Sequence, residues 1–176
     1  LGALGSYAPA TSPHTFSALA AGTYDVYVKD ANNCETNTSI VVNQPTAVAL
    51  GLTETELACN GVPTGSVTAT FSGGTGLYEI KLGVGGTYAA ATSPHTFGTL
   101  AAGTYAVYVK DANNCETNTS IVVNQPSAVT LALVKTDATC NTGTDGTITA
   151  TFSGGTGAYQ VKLGAHRTYA AASSPP

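Results

Sequence analysis

The chain has 176 residues, a formal net charge of −4 and a pI near 5.1, and only 9% of its residues are charged. That balance offers no electrostatic attraction to phosphate backbones or acidic membranes, so nucleic acid is excluded as an expected partner. An apolar share of 43% suffices for packed cores and argues against disorder, while no run approaches the roughly 20 consecutive apolar residues of a membrane-spanning helix.

Read from its first residue, the chain repeats at a fixed offset of 81 without insertion or deletion. Thr-Ser-Pro-His-Thr-Phe at 11–16 returns at 92–97, Asp-Ala-Asn-Asn-Cys-Glu at 30–35 returns at 111–116, and the segment 68–76 returns unchanged at 149–157. A unit of this length is too long for a solenoid turn and suits a small domain with its own core. Leu1 falls opposite Leu82 and Leu163, so residues 1–45 read as the C-terminal half of a repeat, 46–126 as a complete repeat and 127–176 as the N-terminal part of a third. Asn-Gln-Pro at 43–45 and 124–126 marks the junctions, because proline removes a ladder donor and stiffens the chain. Junctions this short predict a semi-rigid array. The split terminal repeats are completed either by a longer chain or by strand donation between subunits.

Within the complete repeat, Val67, Ala69 and Phe71 alternate with Ser66, Thr68 and Thr70, and Tyr78, Ile80 and Leu82 alternate with Glu79 and Lys81. Tyr105, Val107 and Val109 alternate in the same way with Ala106, Tyr108 and Lys110, and a further strand runs through 119–123. Period-two alternation of β-branched and aromatic residues predicts half-buried strands, and no stretch has a helical period. Gly- and Asn-rich turns at 72–76, 83–86 and 111–114 separate them. The expected fold is all-β: tandem immunoglobulin-like sandwiches of about seven strands each. Leu-Ala-Ala-Gly-Thr-Tyr at 100–105, and its copy at 19–24, reads as a tyrosine corner, in which the hydroxyls of Tyr105 and Tyr24 bend back to the backbone of the preceding loop.

The four cysteines fall two per repeat, without any Cys-x-x-Cys pair, which suits disulfides in an oxidising compartment better than zinc. One pairing closes the repeat on itself through Cys59 and Cys115, and a bridge closing so long a loop stabilises a small secreted domain. The alternative crosses the junctions, pairing Cys34 with Cys59 and Cys115 with Cys140, and free thiols are the third reading. Asn37 and Asn118 head Asn-x-Ser/Thr sequons, and Thr68 and Thr70 are candidate O-glycan acceptors, although a threonine-rich strand is explained equally by β-propensity. Asp111, Asn113, Asn114 and Glu116 supply oxygen ligands, but Asx-turn chemistry accounts for them and no complete calcium set gathers around them. Neither Ser12 and His14 nor Ser93 and His95 has an orienting acid in register, and the third copy runs Ser174-Pro175-Pro176. No catalytic residue, metal or cofactor is expected.

Five motifs in order resemble the SprB repeat: Ala-Cys-Asn-Gly at 58–61, Gly-Ser-Val-Thr at 65–68, Ser-Gly-Gly-Thr-Gly at 72–76, Leu-Ala-Ala-Gly-Thr-Tyr at 100–105 and Asp-Ala-Asn-Asn-Cys at 111–115. The resemblance implies export to the cell surface, tandem immunoglobulin-like domains, a role in adhesion or gliding and no catalysis. The strand at 77–82 departs from the aromatic Tyr-x-Trp type commoner in that repeat. The expected function is thus a non-enzymatic extracellular stalk or filament, with self-association or continuous repeats along a fibre and no membrane insertion in this segment. The competing reading is an array of carbohydrate-binding modules in a secreted polysaccharide-degrading system, with Tyr27 and Tyr108 as the outward aromatics that would contact a surface polysaccharide.

Overall fold

The computed structural model describes residues 7–164 and 169–172, and every regular element among them is a β-strand. The chain divides into two compact units, Leu1–Thr46 and Ala47–Pro176. In the first, β1 (Gly22–Lys29) pairs antiparallel with β2 (Glu35–Val42) in full register from Gly22↔Val42 to Lys29↔Glu35.

The second unit opens with a seven-stranded repeat: β3 (Ala49–Thr55), β4 (Gly65–Ser72), β5 (Tyr78–Leu82), β6 (Ala89–Ala91), β7 (His95–Leu100), β8 (Gly103–Lys110) and β9 (Glu116–Val123). These form a three-stranded sheet in the order β3-β4-β7 and a four-stranded sheet in the order β6-β5-β8-β9, antiparallel throughout. In immunoglobulin lettering the sheets are A-B-E and C′-C-F-G. The alternation that makes each segment a strand also selects its inner face. Val67, Ala69 and Phe71 of one sheet meet Ile80, Val107, Val109 and Val123 of the other, and Leu57 closes one end of the core. Val67, Val107 and Val109 are completely buried.

Gly65 marks how closely the sheets approach at that end. A Cβ there would meet Val123 Cγ1 at 2.6 Å and Leu57 Cδ1 at 2.8 Å, and the β4–β7 register shifts between Gly65 and Val67. The loop from Leu57 to Thr64 is bound to the end of β9: Leu57 N donates to Asn124 O, Asn60 Nδ2 to Pro126 O and Gly61 N to Gln125 Oε1, each at 2.9 Å.

After the junction, β10 (Thr130–Thr136) pairs with β11 (Thr147–Ser153), and β12 (Tyr159–Val161) with β13 (Ala170–Ala172). At the 81-residue offset these reproduce β3 to β6 of the complete repeat. The Phe71–Tyr78 ring contact, with centroids 5.0 Å apart, recurs as Phe152–Tyr159 at 4.8 Å. Gly155 N donates to Ser127 O at 2.8 Å, so the junction is hydrogen-bonded from both sides.

Truncating a buried valine leaves a cavity that the opposite sheet cannot fill. Val107→Ala is therefore expected to lower stability by about 2–3 kcal/mol, whereas Val122→Ala, on the outer face of β9, stays within about 0.5 kcal/mol. Urea unfolding of the full chain measures both, and equal losses would refute the burial pattern.

Candidate functional site

The most heavily engaged polar side chain is Asp111, which is 3% exposed at the start of the β8–β9 turn. Its Oδ1 accepts from the backbone N–H groups of Asn113 and Cys115, both at 2.9 Å, which is Asx-turn geometry inside the hairpin. Its Oδ2 accepts from the backbone N–H and the hydroxyl of Thr75, again both at 2.9 Å, and so latches the hairpin to the β4–β5 turn. Ala112 N also donates towards Thr75 and Gly76 carbonyls at 3.4 and 3.3 Å. Gly74 makes room for the carboxylate: it has φ +63°, and a Cβ there would lie 2.7 Å from Asp111 Oδ2. The backbone N–H of Thr75, ahead of the other donors, holds the carboxyl down to about 2, against the opposing effect of burial. The oxygen groups of 111–116 thus close a turn. Among the described residues no cluster of three or more His, Cys, Asp or Glu side chains has a metal-holding arrangement.

A second cluster covers the outer face of the four-stranded sheet. The strand pairing sets Lys81 opposite Tyr108 and Glu79 opposite Lys110. Lys81 Nζ lies 4.7 Å from the ring centroids of both Tyr88 and Tyr108, and Lys110 Nζ lies 4.7 Å from the Tyr88 ring while bridging Glu79 at 2.8 Å. The Tyr88 hydroxyl donates to Glu116, and burial followed by that carboxylate contact raises its pKa. The same parts recur at the offset. Tyr7 donates to Glu35, which pushes its pKa up to about 12, and takes Lys29 over its ring at 4.5 Å. Lys162 stands 4.6 Å from the Tyr169 ring. Sequence reasoning considers Glu116 only as an oxygen ligand and does not single out Tyr88 or the cation roles of Lys81 and Lys110, although the recurrence of all four at the 81-residue offset is a signal in plain view.

The remaining expected residues fall in separate places. Tyr105 Oη donates to Ala101 O at 3.0 Å and Tyr24 Oη to Ala20 O at 2.8 Å, the back-bonding of a tyrosine corner. Tyr108 is half-buried beneath Lys81, whereas Tyr27 is 52% exposed. Asn118 is exposed opposite Tyr108 on β9, and Asn37 holds the matching position opposite Tyr27 on β2. Thr68 Oγ1 shares a hydrogen bond with Thr96 Oγ1 at 2.9 Å across the β4–β7 pair, and Thr70 is exposed. Ser93 Oγ accepts from Phe71 N at 2.8 Å, and the His95 ring packs edge-on against Phe97 with centroids 4.8 Å apart. The third copy's Ser174-Pro175-Pro176 lies outside the described residues.

The expected disulfide is not formed. Cys34, Cys59, Cys115 and Cys140 are all free and exposed. Cys59 sits in the loop fastened to Asn124–Pro126 after the end of β9, while Cys115 immediately precedes its start. Eight strand residues at about 3.3 Å each place the two thiols about 25 Å apart along β9, against the 7 Å or so between Cα atoms that a bridge tolerates. Neither junction-crossing pair is formed either.

The depressed pKa of Asp111 carries a pH consequence. The folded value lies below the ordinary 3.8, so the latch stabilises fully above about pH 3.8 and is lost as the pH falls through about 2. Asp111→Asn cannot accept both Thr75 donors on its amide nitrogen. It is expected to lower Tm at neutral pH and to flatten the dependence of Tm on pH between those limits. Melting curves by circular dichroism check this, and an unchanged acid profile would show that the latch does not contribute.

The geometry is therefore that of a closed structural repeat whose polar groups serve its own turns and outer face. No curated protein and no solved structure matches the chain. The sequence pattern of the SprB repeat does match, over the strands β3 to β5 with the loop beyond and again over β10 to β12. This chain carries SprB repeats, at residues 52–87 and 132–160, the non-catalytic repeat of cell-surface gliding and adhesion proteins.

Proposed function

We propose that the chain is part of an extracellular stalk or filament in which each repeat adds length and presents a neutral, threonine-rich surface for adhesion. The observation that carries this reading is what recurs every 81 residues. It is a set of structural devices: the Asp30 and Asp111 turns, the Tyr24 and Tyr105 corners, and the Tyr7–Glu35 and Tyr88–Glu116 contacts. The hydrogen bonds on Pro126 O and Ser127 O support a semi-rigid junction after the complete repeat. The occurrence of SprB repeats in cell-surface proteins supports a location outside the cell for such a filament.

The polysaccharide-binding alternative needs bare aromatic faces. Lys81 stands over the Tyr108 ring and shares the Tyr88 ring with Lys110, so these aromatics are already covered by the chain's own ammonium groups. Glycan attachment is retained within the proposal at Asn37 and Asn118, both exposed on outer strands, with Thr68 and Thr70 as further acceptors. A surface with few charges gains solubility from such sugars.

Native material examined by negative-stain electron microscopy is expected to show long unbranched fibres, and its peptides to carry hexose-bearing mass increments at 37 or 118. Compact particles without fibres would sink the filament reading. Polysaccharide binding that disappears in Tyr108→Ala would favour the alternative.

A further inference from the structure

The loop that fastens the complete repeat to its exit carries a reactive pair of residues at its tip. Leu57 N, Asn60 Nδ2 and Gly61 N donate to Asn124 O, Pro126 O and Gln125 Oε1, each at 2.9 Å. Val62 N closes back on Cys59 O at 3.4 Å, with Gly61 at φ +73° and Asn60 outside the left-handed region, which is the pattern of a type II turn. The third repeat builds the same turn at the 81-residue offset, where Gly143 N donates to Cys140 O at 2.9 Å and Thr142 stands at φ +70°. The two turns differ in the residue that follows the asparagine: Gly61 in one, the β-branched Thr142 in the other. Asn60 is exposed, and a Cβ built on Gly61 would meet nothing within 4 Å, so water and solvent bases reach the peptide bond between them.

We propose that Asn60-Gly61 is a site of spontaneous deamidation, held in check by the hydrogen bonds that Gln125 and Pro126 accept. The Gly61 nitrogen attacks Asn60 Cγ. The new C–N bond closes a five-membered succinimide, the Cγ–Nδ2 bond breaks, and the amide leaves as ammonia with the proton that Gly61 gives up. Solvent water then opens the ring at either carbonyl and leaves aspartate or isoaspartate.

The folded turn opposes the first step twice. Gly61 N–H is occupied by Gln125 Oε1, and the ψ of about +120° at the first central residue of a type II turn directs the Gly61 nitrogen away from the Asn60 side chain. Attack therefore awaits local opening of the loop, and two hydrogen bonds of ordinary strength slow it roughly tenfold or more. In the third copy the branched side chain of Thr142 crowds the attacking nitrogen, which makes Asn141 the slow counterpart within the same chain.

Conversion acts on the junction. A carboxylate at position 60 has no N–H for Pro126 O and sets one acceptor against another, while the isoaspartyl product lengthens the main chain by one carbon ahead of Gly61. The loop is then released from 125–126, and only Gly155 N, donating to Ser127 O, holds the junction from its other side. This goes beyond the filament reading and stands whether or not the repeats build a fibre.

Peptide mapping of the folded 176-residue chain, aged at mildly alkaline pH, is expected to find isoaspartate at 60 well ahead of any change at Asn141. The rate at 60 should rise roughly tenfold in Gln125→Ala, whose side chain is exposed, and as much or more in urea. It should fall to that of Asn141 in Gly61→Thr, which copies the turn of the third repeat. In Asn60→Asp, amide exchange at Gly61 should quicken severalfold. Equal conversion at 60 and 141, a rate at 60 that Gln125→Ala and urea leave unchanged, or no conversion at 60 in either the folded chain or Gln125→Ala would overturn the proposal. Unaltered exchange at Gly61 in Asn60→Asp would overturn its effect on the junction.

Discussion

Neither sheet of this repeat can bury its apolar face without the other. Val67, Ala69 and Phe71 lie on the inner side of one sheet, and Val107 and Val109 on the inner side of the next, with no helix among the described residues to cover either. Burial therefore comes only when strands far apart in sequence are brought face to face, and the strands that do so enter from both ends of an 81-residue unit. The difference between Val109 and Val28 is a difference of partners and not of side chains. About 25 cal/mol per Å² of apolar surface removed from water makes each such pairing worth roughly 1.5–3 kcal/mol per large side chain. Half a repeat forfeits several of these at once.

Polar groups fix how the two sheets close. At one end Gly65 lets Val123 and Leu57 meet, and the Leu57–Thr64 loop is fastened to the exit of β9. At the other end Asp111 gathers four N–H and O–H donors from two turns and holds the β8–β9 hairpin over the β4–β5 turn. The aromatic and lysine side chains on the outer face tie β5, β8 and the Tyr88 segment together without entering the core. Each device needs only backbone geometry and a few side chains, and the Asx turn and the tyrosine corner are seen in both described copies.

What was legible in the sequence was whatever is local. Period-two alternation identified the inner faces of β4, β5 and β8, because a strand's buried face is written in consecutive residues. The tyrosine-corner reading used a six-residue motif that contains both donor and acceptor. The Asp111 latch was only half legible: its Asx turn is local, but Thr75 lies 36 residues away and meets it through the fold. Tyr88 stood outside any alternating stretch, and its lysine partners come from two strands. The cysteine pairing failed for a topological reason. Five strands, β4 to β8, separate Cys59 from Cys115, and an odd number of traversals ends at the opposite pole. The short β6, written only as Ala-Ala-Ala, hid that parity from loop-closure reasoning.

The same parity determines which thiols an array of such repeats can bring together. The Cys59 loop lies where one repeat ends, and the Cys115 hairpin lies where a repeat begins, beside Val48 and the Gly74 turn. Cysteines of these two kinds lie at opposite ends of a repeat. In the chain itself, Cys59 already shares a hollow with Gly155 and Thr156, the residues whose counterparts Gly74 and Thr75 receive the Asp111–Cys115 turn. An inter-repeat bond at that place would join one repeat's exit to the next repeat's latch and restrict bending at the junction, leaving the folding of each sandwich to its own core. Inside the complete repeat the two thiols stand at opposite ends of the sandwich, and both are exposed.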